Sequence, residues 1–151
     1  MEKGHLATST VTQIGIIVKD IETTAKKYAE FLGLPVPPIF ETGELHESQA
    51  TYNGKPCPAR AKLAFLKVGE TLDIELIQPD GQPSTWQEFL DTKGEGVHHI
   101  AFGIKDTAGK TKKLAELGMP LVQKGEYEGG RYAYFDAIKD LKLIIETLEN
   151  D

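Results

Sequence analysis

The sequence predicts an α+β fold made of two tandem β-α-β-β-β modules. Three observations lead to this prediction: an internal repeat, hydrophobic periods that follow the same order in both halves, and turn residues between the periodic segments. The repeat is clearest where QIGIIVKD at residues 13–20 aligns with HIAFGIKD at residues 99–106. Because a repeat marks copies of one supersecondary unit, we expect a single domain over residues 1–151, with repeats at about 10–80 and 95–149.

The first repeat begins with a strand whose apolar, often β-branched side chains recur with a period of two. Asp20 is placed to cap the helix that follows, and Gly33 is placed to end it. Asn53-Gly54 predicts a turn ahead of the last two strands. The predicted elements are a strand at 11–18, a helix at 21–32, one or two strands within 39–52, and a hairpin of strands at 61–68 and 71–78.

The second repeat has the same order of elements. A linker at residues 79–83 precedes it, followed by a short helix at 85–90 that Ser84 and Gln87 would cap together. The predicted elements of the repeat itself are a strand at 96–104, a helix at 106–117, and strands at 121–128, 131–136 and 141–148. Neither half alone can bury both its helix and its sheet, so the halves should pack as one unit.

Composition narrows the class of protein. The net charge of −6 disfavours a nucleic-acid partner, because binding to phosphates needs a concentrated basic surface. No stretch of the sequence has the roughly 20 apolar residues of a membrane span, and the first residues lack the apolar core of a signal peptide. The single cysteine, Cys57, fits a reducing compartment. We therefore expect a cytoplasmic protein.

Four polar residues occupy matched strand positions in the two repeats: Gln13 and His99 near the start, Glu75 and Glu146 near the end. Each Glu stands among Leu and Ile, where an unpaired carboxylate is costly and needs a cation, a hydrogen-bond partner or a proton. Because strand side chains alternate between faces, Gln13 shares a face with Gly15. That small-sided face leaves room for a ligand.

Each of these residues also has a simpler interpretation. The two Glu side chains could be paired with Arg60 or Arg131, and His99 could be a buried histidine with its hydrogen bonds satisfied. Gln13 could be what remains of a lost ligand. Further residues with a structural interpretation are His98, which the alternation places on the opposite face from His99, Cys57 in a proline-rich loop, and the aromatic residues Trp86, Tyr132 and Tyr134 as core or cavity wall.

Four motifs in the sequence resemble those of a known superfamily. They are IGIIVKD at 14–20, IELIQP at 74–79, GEGVHHIAF at 94–102 and LIIE at 143–146. Together they resemble the vicinal oxygen chelate superfamily, which includes lactoylglutathione lyases, methylmalonyl-CoA epimerases, extradiol dioxygenases and bleomycin-binding proteins. The segment at 94–102 looks most like the epimerase branch. The resemblance covers nearly the whole chain and is specific for the superfamily rather than for one reaction.

The resemblance implies mixed sheets that curl around a cavity, and often a homodimer. It also implies one divalent metal ion, Zn, Ni, Co, Mn or Mg, with Gln13, Glu75, His99 and Glu146 as its ligands. The sequence departs from the family at Gln13, where His is usual and where an amide oxygen is a weaker ligand. A second departure is Cys57, which aligns near the place of an acid that related epimerases use in proton transfer.

The expected function is that of a metal-dependent lyase or isomerase of the glyoxalase/epimerase type, acting on a small carbonyl or acyl-thioester substrate through an enolate-like intermediate. Glu146 and Glu75 are the candidate catalytic residues, each as ligand or as base. The alternative is a non-catalytic protein that binds or sequesters a small molecule, as in bleomycin resistance, with a degenerate metal site. An extradiol dioxygenase is disfavoured because only His99 is well placed among the histidines.

Overall fold

In the computed structural model, which describes residues 4–151, ten strands form one mixed sheet, and the chain also contains five helices. The strands are β1 (Val11–Ile17), β2 (Phe40–Glu41), β3 (Thr51–Tyr52), β4 (Lys55–Pro56), β5 (Ala61–Val68), β6 (Leu72–Pro79), β7 (Gly96–Gly103), β8 (Leu121–Tyr127), β9 (Gly130–Asp136) and β10 (Ile144–Asn150). The helices are α1 (Ile21–Leu32), α2 (Leu45–Ser48), α3 (Thr85–Lys93), α4 (Thr107–Glu116) and α5 (Ile138–Leu141).

The order of strands across the sheet is β2-β5-β6-β1-β7-β10-β9-β8-β3-β4. In the first half β1 lies parallel to β6, and in the second half β7 lies parallel to β10. The two halves join where β1 pairs antiparallel with β7 at the centre of the sheet. The predicted α+β fold with a mixed sheet is confirmed.

A short stretch of chain ties the two ends of the curled sheet together. Strand β2 pairs with β5 at one end of the sheet, and β3 pairs with β8 near the other. Only residues 42–50 connect β2 to β3, and that length spans at most about 30 Å when fully extended. This connection, which includes α2, therefore crosses the open side of the curl and covers part of its concave face.

Helices cover the two faces unequally. Helix α1 packs Ile21 and Ala25 against Leu66 and Leu76 on the convex face, and α4 adds Leu114 against the second half of the sheet. On the concave face, Trp86 of α3 packs into a separate core cluster, whose other buried members are Ile17, Ala61, Ile77, Tyr134 and Ile144. Helix α3 thus fills part of the concave side, and the rest is left for a cavity. None of the helices within residues 4–151 is long and apolar enough to cross a membrane.

Two of the predicted elements differ from the structure by three residues at one end. Helix α3 extends to Lys93, beyond the predicted end at residue 90. Its cap is also simpler than predicted, because the Ser84 side chain accepts from the amide of Gln87 while the Gln87 side chain turns away to the amide of Gly81. The last strand begins at Ile144 instead of residue 141, because α5 occupies the preceding residues and ends with Lys142 in the left-handed region.

The predicted turn at Asn53-Gly54 joins β3 to β4, with positive φ values of 52° and 79° that suit these two residue types. What the sequence did not indicate is the strand it pairs with. This hairpin belongs to the first half of the chain, yet Thr51 and Tyr52 pair with Lys124 and Gln123 of β8 in the second half. Local turn signals define a hairpin but carry no information about its distant partner.

Gln123 is a fully buried polar residue that connects three elements on the concave side. Its side-chain oxygen accepts from the amide of Thr85 at 2.9 Å, at the start of α3. Its side-chain nitrogen donates to the Tyr132 hydroxyl on β9 at 3.0 Å. Because a buried donor left without a partner is costly, Gln123 holds both α3 and the Tyr132 side chain in place.

We expect Gln123→Met to lower the free energy of unfolding by about 1–3 kcal/mol, since a side chain of similar shape leaves the Thr85 amide and the Tyr132 hydroxyl unpaired. Urea unfolding of the variant and the parent protein measures this difference. Lys124→Ala, on the exposed face of the same strand, is the matched control and should change stability by no more than about 0.5 kcal/mol. An unchanged urea midpoint for Gln123→Met would contradict the role assigned to this residue.

Candidate metal centre

The centre of the sheet brings together residues from the ends of both halves. On the concave face, Gly15 of β1 lies opposite Glu75 of β6 on one side and opposite His99 of β7 on the other. A Cβ at position 15 would overlap the imidazole ring of His99. The glycine therefore lets the ring lean across β1 towards Glu75, which any larger residue would prevent.

A second row of residues lies beside the first. Gln13 of β1 pairs with Ala101 of β7, and Ala101 pairs in turn with Glu146 of β10. Side chains that lie opposite each other on neighbouring strands project from the same face, so Gln13 and Glu146 project from the face that carries His99. The four residues singled out in the sequence come from one chain and reach one face through two rows of a single sheet.

Three of these side chains form a close, buried cluster. His99 Nε2 lies 2.7 Å from Glu146 Oε2 and 3.4 Å from Glu75 Oε1. One ligand atom from each residue lies within 4.8 Å of the other two. The exposed fractions are 0% for His99, 3% for Glu146 and 6% for Glu75, so water provides little compensation for the two carboxylates.

All four residues also have a buried atom without a hydrogen-bond partner among residues 4–151. These atoms are Gln13 Oε1, Glu75 Oε1, His99 Nε2 and Glu146 Oε2. His99 Nε2 is close to two carboxylate oxygens, but neither contact meets the geometric criteria of a hydrogen bond. Three oxygens and one imidazole nitrogen form a donor set that fits a divalent cation.

The two arginines that could have compensated the buried carboxylates are engaged elsewhere. Arg60 lies 3.4 Å from Glu41, near the edge of the sheet. Arg131 lies 2.7 Å from Asp151 and 3.3 Å from Glu126. Within the described part of the chain, His99 is the one basic group that contacts Glu75 and Glu146.

The electrostatics of the cluster favour a positive charge at its centre. Burial acts to lower the pKa of His99, but the charge of Glu146, with a smaller contribution from Glu75, outweighs burial and raises this pKa to about 10. Burial raises the pKa of Glu146, and the nearby His99 partly offsets that increase. A proton on His99 and a divalent cation would therefore compete for the same position.

His98 lies on the side of the sheet opposite to that predicted. A β-bulge in β7 pairs Gly15 with His99 and Ile16 with Val97, which leaves His98 as the extra residue and breaks the alternation. The centroids of the His98 and Tyr134 rings are 5.2 Å apart, and His98 Nδ1 lies 2.8 Å from His99 Nδ1. Burial lowers the pKa of His98 well below its usual value, so it is neutral and can accept from His99.

A cavity of about 960 Å³ opens above the cluster. Its lining includes Gln13, Glu75 and Glu146 and six aromatic residues: Phe40, Phe65, Trp86, Tyr127, Tyr132 and Tyr134. The Tyr134 hydroxyl accepts from Trp86 Nε1 at 3.0 Å. Burial raises the pKa of Tyr134 well above its usual value, so the hydroxyl keeps its proton.

Glu47, in the connection between β2 and β3, has a position that the sequence did not indicate. Glu47 on α2 lines the cavity, and no periodic signal marks it because α2 is a single turn within an irregular stretch. Cys57 is buried away from the cavity lining, where its thiol contacts the carbonyl of Pro83 at 3.5 Å and burial raises its pKa. Cys57 is therefore no substitute for an acid in the cavity.

Comparison with known proteins identifies the family to which this half-open mixed sheet with its central cluster belongs. Residues 12–135 match the model of the Glyoxalase/Bleomycin resistance protein/Dioxygenase superfamily. The chain belongs to this superfamily, as its resemblance to vicinal oxygen chelate proteins indicated.

The relatives found include an uncharacterized protein of Bacillus subtilis (strain 168), YqjC, which is 29% identical over 139 residues, 90% of this chain and 89% of that protein. Among solved structures, methylmalonyl-CoA epimerase from Mycobacterium tuberculosis has a TM-score of 0.67 at 21% identity, covering 100% of this chain and 93% of that one. Streptomyces coelicolor methylmalonyl-CoA epimerase, solved with 2-nitronate-propionyl-CoA, has a TM-score of 0.62 at 19% identity, covering 93% and 96%. These structural likenesses confirm the fold.

We expect His98→Leu to weaken binding of Zn²⁺ or Co²⁺ by about 10–100-fold, because His99 loses the acceptor that orients its ring. His98→Asn should retain most of the affinity, since its amide oxygen can accept at the position of Nδ1. Calorimetric titration of chelator-treated protein measures both effects. Equal affinities for the parent protein and His98→Leu would contradict this orienting role.

Metal binding should release about one proton at pH 7, because the metal-free protein has a His99 pKa of about 10 and the metal needs the neutral ring. The apparent affinity should therefore rise as pH increases from 7 towards 9. Calorimetry in two buffers with different ionisation enthalpies counts the protons released. His46→Ala, which removes an exposed histidine, should leave the count unchanged, whereas a count near zero in the parent protein would mean that His99 is already neutral.

Proposed function

We propose that this protein is a metal-dependent lyase or isomerase of the glyoxalase/epimerase type, which moves a proton next to a carbonyl group of a small substrate. The observation that supports this most is the set of four buried atoms without partners, one from each of Gln13, Glu75, His99 and Glu146. Three of these residues line a cavity large enough for a small molecule, and His99 lies directly behind them.

In this proposal Gln13, Glu75, His99 and Glu146 hold one divalent metal ion. When bound, the ion supplies Lewis acidity to a carbonyl oxygen and stabilises the negative charge of an enolate. Glu146 or Glu75 accepts the proton from the neighbouring carbon and returns it to the product. Both carboxylates line the cavity, so each can reach a substrate.

The other groups around the cavity suit such a reaction. Burial raises the pKa of Tyr132, so its hydroxyl remains a donor, and it already accepts from Gln123. Trp86 and Tyr134 close the cavity near the cluster with apolar surface. Exclusion of water strengthens every charge interaction inside the cavity.

Gln13 favours a second candidate function. Its neutral amide oxygen is a weaker ligand than the imidazole that the family usually has at this position. A weakened site in the same cavity suits a protein that binds or sequesters a small molecule without turnover. The two functions differ in whether the carboxylates transfer a proton.

We expect the metal-loaded protein to exchange the proton next to the carbonyl of a small uncharged thioester, such as the propionyl thioester of N-acetylcysteamine, or of the hemithioacetal of methylglyoxal and glutathione. Proton NMR in D₂O follows the loss of the signal. Removing the base should slow exchange by about 10²–10⁴-fold, so Glu146→Gln or Glu75→Gln should lose exchange while keeping the folded circular dichroism spectrum.

Metal affinity measured for the same two variants separates the carboxylate that acts mainly as ligand from the one that also acts as base, because the base variant should lose less of the metal binding. Glu30→Gln, an exposed change of the same kind on α1, is the control. Tight binding of a probe without any proton exchange would contradict the enzyme proposal and favour the binding protein.

A further inference from the structure

The charged residues that line the cavity all have the same sign. Among the described residues, the lining contains carboxylates and no Lys, Arg or His side chain. The six carboxylates are Glu41, Glu47, Glu75, Glu126, Glu128 and Glu146. Such a lining attracts cations and repels anions at the contact distances of a bound ligand.

The outer carboxylates are Glu41, Glu47, Glu126 and Glu128. Two of them are partly neutralised by arginines that are not part of the lining. Glu41 lies 3.4 Å from Arg60, and Glu126 lies 3.3 Å from Arg131. The other two, Glu47 and Glu128, have no ion pair with Lys or Arg among residues 4–151, and Glu47 contacts only His46 at 3.7 Å. The outer part of the cavity therefore keeps a negative charge.

The inner pair of carboxylates points to a ligand independently of the outer four. Glu75 and Glu146 are more than nine-tenths buried, and each directs an oxygen without a partner towards the centre of the site. A divalent cation would balance these two charges. It would leave the outer carboxylates uncompensated, so the excess negative charge lies away from the metal, where the distal part of a substrate must be.

Aromatic rings line the same cavity as the outer carboxylates. Phe40 stacks on Phe65 with ring centroids 5.8 Å apart, and Phe40 directly precedes Glu41 in β2. On the other half of the sheet, Tyr127 lies between Glu126 and Glu128 in the sequence, and all three residues line the cavity. Rings and carboxylates in one cavity are the surroundings that bind organic ammonium groups.

From this arrangement we infer that the substrate is a small carbonyl compound with an amine or quaternary ammonium group at its distal end, and that polyanionic coenzyme A thioesters are excluded. This inference rests on the proposed function for the carbonyl end alone, which would be held at the cluster. The charge of the distal end follows from the lining of the cavity. The inferred substrate class therefore differs from the coenzyme A ligand, 2-nitronate-propionyl-CoA, with which the structurally similar Streptomyces epimerase was solved.

The test uses three benzohydroxamic acids with the same metal-binding head and ring. Their para substituents are trimethylammoniomethyl, hydroxymethyl and phosphonomethyl, so that they differ in charge at the distal end. Dissociation constants are measured by calorimetry on the full chain loaded with its tightest-binding metal. We expect the cationic probe to bind about tenfold more tightly than the neutral probe, and the phosphonate to bind most weakly.

Three results would overturn the inference: equal affinities for the three probes, tightest binding of the phosphonate, or binding of propionyl-CoA at micromolar concentration. Absence of binding by all three probes to metal-loaded protein would overturn it as well. Chelator-treated protein separates this outcome from failure of the proposed function. Benzyltrimethylammonium should still bind the chelator-treated protein more tightly than phenylacetate does, because this preference needs no metal. The proposed function, by contrast, fails if the protein binds no metal.

A double variant tests whether the outer carboxylates cause the preference for the cationic probe. Glu47→Gln combined with Glu128→Gln should reduce the ratio between the cationic and phosphonate affinities several-fold and leave the affinity for the neutral probe unchanged. Glu116→Gln, an exposed change on α4 away from the cavity, makes the same chemical change and should leave the ratio unaltered. An unchanged ratio in the double variant would overturn the assignment.

Discussion

The constraint on which the rest of the structure depends is the burial of two carboxylates beside one imidazole. Removing the counter-charge from a buried ion pair costs about 3–5 kcal/mol, so Glu75 and Glu146 require a positive partner at their centre. His99 is the basic residue that contacts them among residues 4–151. The sheet, the small residues around the ring and the covering connection are arranged so that this partner can be a proton on His99 or a divalent cation.

The central strands explain how such a cluster is built from distant parts of the chain. Because β1 and β7 pair antiparallel, and each has a parallel partner on its outer side, corresponding residues of the two halves come to the same face. Gly15 and Ala101 keep the space between the polar side chains open. The β-bulge at His98 then places a second imidazole behind His99, where alternation alone would have directed it away.

The cavity above the cluster depends on different physics. Its walls are aromatic, and its outer charges are carboxylates whose repulsion is only partly relieved by Arg60 and Arg131. In the proposed function, such a lining would add selectivity that the Glu-His-Glu cluster cannot supply, since this cluster would hold many carbonyl compounds alike. The fold is shared with epimerases.

The sequence by itself determined the seven longer strands and the three longer helices. It also singled out the four polar residues, because hydrophobic period and internal repeat are local properties that survive without tertiary contacts. It indicated Glu75, His99 and Glu146 through their unusual apolar surroundings. It could not place His98, Glu47 or the hairpin of β3 and β4. A bulge, a sheet closure and the lining of a cavity are decided by the register between strands far apart in the chain, and that register is settled only when the whole sheet assembles.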